Sequence, residues 1–116
     1  MVQESVRSRR GVVAAPHMAA AEAGREVLKE GGNAIEAAVA AAATIAVAYP
    51  HMNNIGGDGF WLIREASGKV RQIEACGPAG ARATRAFYRE HGLEQIPERG
   101  ALAALTVPGA VGGWVL

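Results

Sequence analysis

The stretch Gly31-Gly32-Asn33-Ala34-Ile35-Glu36-Ala37-Ala38-Val39-Ala40 decides the reading of the fold. Glycine accepts the left-handed conformation that a helix C-terminus requires, so Gly31-Gly32 closes a helix predicted over His17 to Glu30. In that helix Met18, Ala21, Val27 and Leu28 fall near one face, and Glu22, Arg25, Glu26 and Lys29 lie on others. Asn33 is an N-cap residue, whose side-chain oxygen takes an orphan backbone N–H. Glu36 then sits in the first turn of the next helix, Ala34 to Ala48, where a carboxylate suits the positive end. This second helix is alanine-rich, with Ile35, Val39, Ile45 and Val47 on several sides. A helix apolar nearly all round is expected to be buried inside something larger. Tyr49-Pro50 ends it.

Downstream, Phe60-Trp61-Leu62-Ile63 reads as a strand buried on both faces. Ser67-Gly68 marks a tight turn, and Val70 to Ala75 returns as the partner strand of a hairpin. Ala83 to Glu90 is expected as a short helix, and Gly92 to Gly100, with Pro97, as an exposed loop. Upstream, residues 1–10 form a polar leader and Gly11 to Ala15 a short strand. The last ten residues, Val107 to Leu116, carry a proline where a helix can begin and finish apolar with no polar tail. An uncovered apolar end predicts a fragment, with residues 11–116 an incomplete domain that does not fold alone. The class is α/β (α+β).

Composition narrows the function classes. The 116 residues are 50% hydrophobic and 20% charged, which is globular rather than disordered composition. A net charge of +1 removes the electrostatic case for nucleic acid or an anionic membrane as main partner. Fifteen glycines set against 5% aromatics predict close backbone packing around a core poor in large side chains. The apolar run from Ala37 to Tyr49 falls short of the roughly 20 residues a bilayer needs. Ser8-Arg9-Arg10 loosely resembles a twin-arginine export signal, but Pro16 and His17 interrupt the mildly apolar stretch from Gly11 to Ala21. A cytoplasmic location is expected, with a periplasmic or secreted one as the alternative.

Asn53-Asn54-Ile55-Gly56-Gly57-Asp58-Gly59 is a glycine-rich loop between helix and strand. Its backbone N–H groups suit an anion-binding nest, or the loop is a tight reversal passing close to another element. It lacks the Lys-Ser/Thr ending of a phosphate loop and the strand-before, helix-after context of a dinucleotide fingerprint. His17, His51 and His91 match no metal-ligand spacing, so no metal or cofactor is expected. His51 reads as a structural histidine and His91 as a cation at an exposed helix end. Cys76, the only cysteine, follows Glu74 at the end of the second strand; with no base beside it, it reads as a small buried hydrophobe. These residues by themselves make no catalytic set.

Three segments together resemble the γ-glutamyltransferase (glutathione hydrolase) family. Gly31 to Ala40 is similar to its GGNAxDAAVA signature, Asn54 to Ile63 to its GxGGGGFxLI segment, and Thr106 to Gly113 to its xxPGxVxG segment. The resemblance covers residues 11–116, in order and spacing, and places the chain at the start of the large subunit. It implies an N-terminal-nucleophile hydrolase with a four-layer αββα sandwich, made as a precursor that cleaves itself. The small subunit's new N-terminal threonine is then the nucleophile, with its own α-amino group as base. That threonine is expected downstream, since Thr44, Thr84 and Thr106 match no such motif.

In the γ-glutamyl enzymes the second hairpin strand ends in a pattern like Asp-x-Arg-Glu, whose arginine pairs with the substrate α-carboxylate. Aligned through Ile73 and Ala83-Thr84-Arg85, that arginine position holds Cys76, and Gly77 comes next. A thiol does not replace a bidentate guanidinium–carboxylate contact. The resemblance therefore implies an amidohydrolase or acyltransferase for a small or non-γ-glutamyl amide, oxamate amidohydrolase being one such branch. An ordinary glutathione hydrolase is the alternative, and a noncatalytic interaction protein is the alternative of another class. Gly56, Gly57, Asp58, Glu74, Cys76 and Gly77 are the expected pocket-lining residues. The expected partners are the amide or γ-glutamyl substrate and the rest of the precursor.

Overall fold

The computed structural model describes residues 5–103 and 106–116, so the first four leader residues lie outside it. The chain forms two compact units, Met1–Asn54 and Ile55–Leu116.

In the first unit, α1 (Met18–Lys29) and α2 (Ala34–Ala48) form a helical hairpin. His17 is the N-cap of α1 rather than its first residue, because its extended backbone lets Nδ1 accept from the Ala19 N–H at 3.2 Å. Gly31 takes φ +95°, and the Gly32 N–H donates to the Val27 carbonyl at 2.9 Å, closing α1. Asn33 Oδ1 accepts from the backbone N–H groups of Ile35 (2.8 Å) and Glu36 (3.0 Å). Glu36 Oε2 accepts from the Asn33 N–H at 2.7 Å, completing a capping box. The helices approach at Gly24, where an added Cβ would lie 2.8 Å from the Ala37 carbonyl. Ala20 and Ala37 are buried at this crossing.

One expectation fails in this unit. Gly11 to Ala15 is not a strand, since among the described residues the one sheet pairs β-strands 59–64 and 70–75 only. It lies on α1 instead, with Val13 beside Gly24 and Gly11 beside Leu28. Helix α2, expected to be buried inside something larger, has Ala37 as its one buried residue within this unit, and Val47 is 82% exposed. Within the unit α1 covers only one side of it.

In the second unit, β1 (Gly59–Arg64) and β2 (Val70–Ala75) pair antiparallel from Gly59↔Ala75 to Arg64↔Val70. The turn closes through Glu65 N–H to the Lys69 carbonyl at 2.8 Å, with Gly68 at φ +88°. The Arg71 guanidinium also meets the Glu65 carboxylate beside that turn. Helix α3 (Arg85–Glu90) begins later than Ala83, because Thr84 stays extended and its hydroxyl accepts from the Phe87 N–H at 3.2 Å. Helix α4 (Ala110–Val115) packs on the face carrying Gly59, Trp61 and Ala75. The opposite face leaves Phe60 70% and Leu62 78% exposed. The expected strand buried on both faces is therefore half-covered, its burial alternating residue by residue.

The buried apolar residues are Ala20, Ala37, Ala75, Tyr88 and Ala110, a core poor in large side chains as the composition predicts. No helix among the described residues is long and apolar enough to cross a membrane.

Candidate functional site

The exit of β2, the glycine loop before β1 and the start of α4 converge in the second unit. The Gly57 carbonyl accepts from the N–H groups of Gly109 (3.0 Å) and Ala110 (2.9 Å). It thereby satisfies amides at the beginning of α4 that have no partner within the helix. Thr106 pairs with Ala79 as an isolated antiparallel bridge, and the Val107 N–H donates to the Pro78 carbonyl at 3.0 Å. A Cβ at Gly77 would overlap the Val107 carbonyl, and one at Gly109 would overlap the Ala75 carbonyl. These glycines allow main chain to lie against main chain. The glycine loop is thus the close-approach reversal, and Gly57 presents an acceptor rather than a donor to its neighbour.

Asp58, next in the loop, accepts a hydrogen bond on Oδ1 from Thr106 Oγ1 at 3.4 Å. Cys76 is exposed, not the buried small hydrophobe expected, because β2 has already ended at Ala75 and α4 covers only the strands. Desolvation by neighbouring atoms pushes the Cys76 thiol up, and the carboxylates of Asp58 and Glu74 push it the same way. A thiol kept protonated is a poor nucleophile and a poor metal ligand. Glu74 is exposed on the outer face of β2, opposite Phe60. Gly56 is exposed in the loop. The fold thus places Gly57, Asp58, Cys76 and Gly77 at one junction, flanked by Glu74 and Gly56.

Two features here were not singled out from sequence. The Thr106 hydroxyl reaches Asp58 from 48 residues away. Trp61 Nε1 is buried without a hydrogen-bond partner among the described residues, beside the small positions Gly59 and Gly113. The Val-Pro-Gly run at 107–109 was the available signal for a second backbone apposition, because glycine next to proline marks a turn that brings chains close.

The histidines serve elsewhere. His17 caps α1, and exposed His51 lies with its ring 4.1 Å from that of Tyr49. His91 is the exposed C-cap of α3, with Nδ1 2.8 Å from the Phe87 carbonyl. Thr44 lies within α2, and Thr84 is the N-cap of α3. Among the described residues no group of three or more His, Cys, Asp or Glu side chains is arranged to hold a metal ion.

Residues 20–116 match the family model described as gamma-glutamyltranspeptidase. Oxamate amidohydrolase proenzyme of Klebsiella pneumoniae is 55% identical over 108 residues, which is 93% of this chain and 20% of that protein. Glutathione hydrolase-like YwrD proenzyme of Bacillus subtilis is 42% identical over 97% of this chain and 21% of its own length. The crystal structure of Helicobacter pylori gamma-glutamyltranspeptidase superposes with a TM-score of 0.83 at 38% identity, over 96% of this chain and 32% of that one. The chain thus spans about a fifth of the length of the curated relatives it matches. That likeness bears out the expected α/β portion of an N-terminal-nucleophile hydrolase sandwich. The motifs at 31–40, 54–63 and 106–113 all lie inside the matched span, and the chain belongs to the gamma-glutamyltranspeptidase family.

Proposed function

We propose that this chain is the early part of the large subunit of an amide hydrolase that takes a small, oxamate-like amide rather than a γ-glutamyl group. The observation that carries the reading is the 55% identity, across 93% of the chain, to a protein named oxamate amidohydrolase. The residue at the resembling arginine position supports it. Desolvation, and then the carboxylates of Asp58 and Glu74, disfavour ionisation of the Cys76 thiol, which offers no cation to a γ-glutamyl α-carboxylate. The carboxylate of oxamate then meets a group other than Cys76, while Asp58 faces the amide side.

In the proposed reaction a threonine outside these 116 residues attacks the amide carbon through its hydroxyl oxygen, and the hydroxyl proton passes to its α-amine. The C–N bond breaks, and ammonia leaves with that proton. Water then attacks the threonyl ester, releasing the acid and restoring the hydroxyl. Gly56, Gly57, Asp58, Glu74, Cys76 and Gly77 line the pocket in this reading. A cytoplasmic setting belongs to the same proposal.

The test is a substrate comparison on the full-length, self-cleaved protein, with oxamate beside glutathione and a γ-glutamyl anilide. Oxamate turnover with the γ-glutamyl compounds inert is the expected result. Efficient γ-glutamyl release would overturn the reading and favour the glutathione hydrolase alternative, which the relative named glutathione hydrolase-like keeps in view.

A further inference from the structure

The bond from Thr106 to Asp58 stands apart from the other side-chain hydrogen bonds. Among the described residues every other one joins groups no more than 6 residues apart, whereas this one joins groups 48 apart. Asp58 makes no ion pair and accepts no second hydrogen bond among the described residues, so its other carboxylate oxygen is unengaged.

We propose that Thr106 is a positioning residue, whose hydroxyl holds one oxygen of Asp58 and leaves the other to accept from the amide N–H of the substrate. The inference rests on the pocket assignment given above. Thr106 is itself well anchored. Its main chain bridges Ala79, its successor Val107 is bonded to Pro78, and the segment fits flush because residue 77 has no side chain. The loop bearing Asp58 is held from the other side by Gly109 and Ala110 on the Gly57 carbonyl. Both partners therefore sit on fixed backbone. What remains free is the Asp58 side chain, an exposed carboxylate with several rotamers, and a hydroxyl anchored by main-chain bonds selects among them. A carboxylate oxygen held in this way is an acceptor suited to a primary amide, whose nitrogen carries two donors.

Three variants of the full-length, self-cleaved protein test this with oxamate as substrate. Thr106→Val keeps the shape and loses the hydroxyl, and it is expected to raise KM roughly fivefold with kcat within about twofold. Thr106→Ser keeps the hydroxyl and is expected to restore the wild-type KM. In the double variant with Asp58→Asn, Thr106→Val is expected to add nothing to the effect of Asp58→Asn alone, because the threonine acts through the aspartate. If Thr106→Val is not recovered folded, Thr106→Ala takes its place in the cycle. A wild-type KM in Thr106→Val while Asp58→Asn raises KM would overturn the positioning role and leave the pocket assignment standing. Failure of Thr106→Ser to restore KM, or additive effects in the double variant, would overturn it as well. Wild-type constants in Asp58→Asn would instead overturn the pocket assignment, and this proposal with it.

Discussion

Gly112 and Gly113 are neighbours in α4, yet an added methyl group meets opposite surroundings at the two positions. At Gly112 nothing lies within 4 Å of the new Cβ. At Gly113 it would lie 2.5 Å from the Ala75 Cβ and 3.2 Å from Trp61 Nε1. Carbon atoms pack at about 3.5–4.0 Å, so the Ala75 contact is at least about 1 Å too short. Ala75 belongs to the strand and Trp61 is held under the helix, so neither yields freely. Overpacking of this kind costs roughly 1–3 kcal/mol. Both substitutions also gain helix propensity, about 1 kcal/mol each. Gly112→Ala is thus expected to stabilise the helix locally by up to about 1 kcal/mol. Gly113→Ala is expected to lie about 2 kcal/mol below it, the propensity gain being common to the two. Amide hydrogen exchange on the full-length protein, read on peptides covering 59–64 and 106–116, measures this local stability. A gap of about 2 kcal/mol is roughly a thirtyfold difference in exchange rate. Equal protection in the two variants would refute the claim that α4 is seated through a methyl-sized clearance at Gly113.

Asn33→Ala removes one half of the capping box at α2 and is expected to cost about 1–2 kcal/mol, with Asn33→Asp retaining most of it, as measured by denaturant midpoints. Glu26 is held below the ordinary carboxylate range by hydrogen bonds from Lys29 and then Arg25. Its contribution is complete above the unfolded-state value and is lost as pH falls through the lowered one, so Glu26→Gln is expected to flatten the acid limb of α1 stability slightly. Cys76, although exposed, is expected to react with iodoacetamide more slowly at pH 7 than a free thiol. Asp58→Asn should speed that reaction, and unchanged kinetics would contradict the Coulombic cause. The 116-residue chain alone is expected to show no cooperative thermal transition by circular dichroism, given Phe60 and Leu62 in solvent and a core built largely of alanine.

The range of each interaction decides whether it can be read from sequence. The junction at Gly31, Asn33 and Glu36 was legible because a helix stop and a capping box are settled among adjacent residues. The turn at Ser67-Gly68 was legible for the same reason, and it sets the hairpin register. The covered face of β1 was not legible, because the covering layer is α4, about fifty residues further along. An apolar run of four residues does not say which side receives a partner. Gly11 to Ala15 has a strand-like composition, but β-propensity expresses packing against neighbours, and the neighbour here is a helix. Cys76 was misread because burial of a residue just beyond a strand depends on what lies over the strand end. The segments at 54–63 and 106–113 were visible as motifs, and 74–77 as the place where the chain departs from the family pattern. Their apposition is carried by glycine-to-carbonyl contacts, which no local pattern reports.

The link between Asp58 and Thr106 also orders the events of folding. The α1–α2 hairpin and the β1–β2 hairpin each join chain neighbours, and each can close while later residues are still being synthesised. Bringing residue 106 back to residue 58 closes a loop of 48 residues, and its entropic cost is met only when the bonds at Gly57, Pro78 and Asp58 form together. Docking of α4 is thus the late, cooperative step of this segment. Until residue 110 has emerged, α4 cannot cover the face of β1 bearing Trp61, and that face is as bare as the one bearing Phe60 and Leu62.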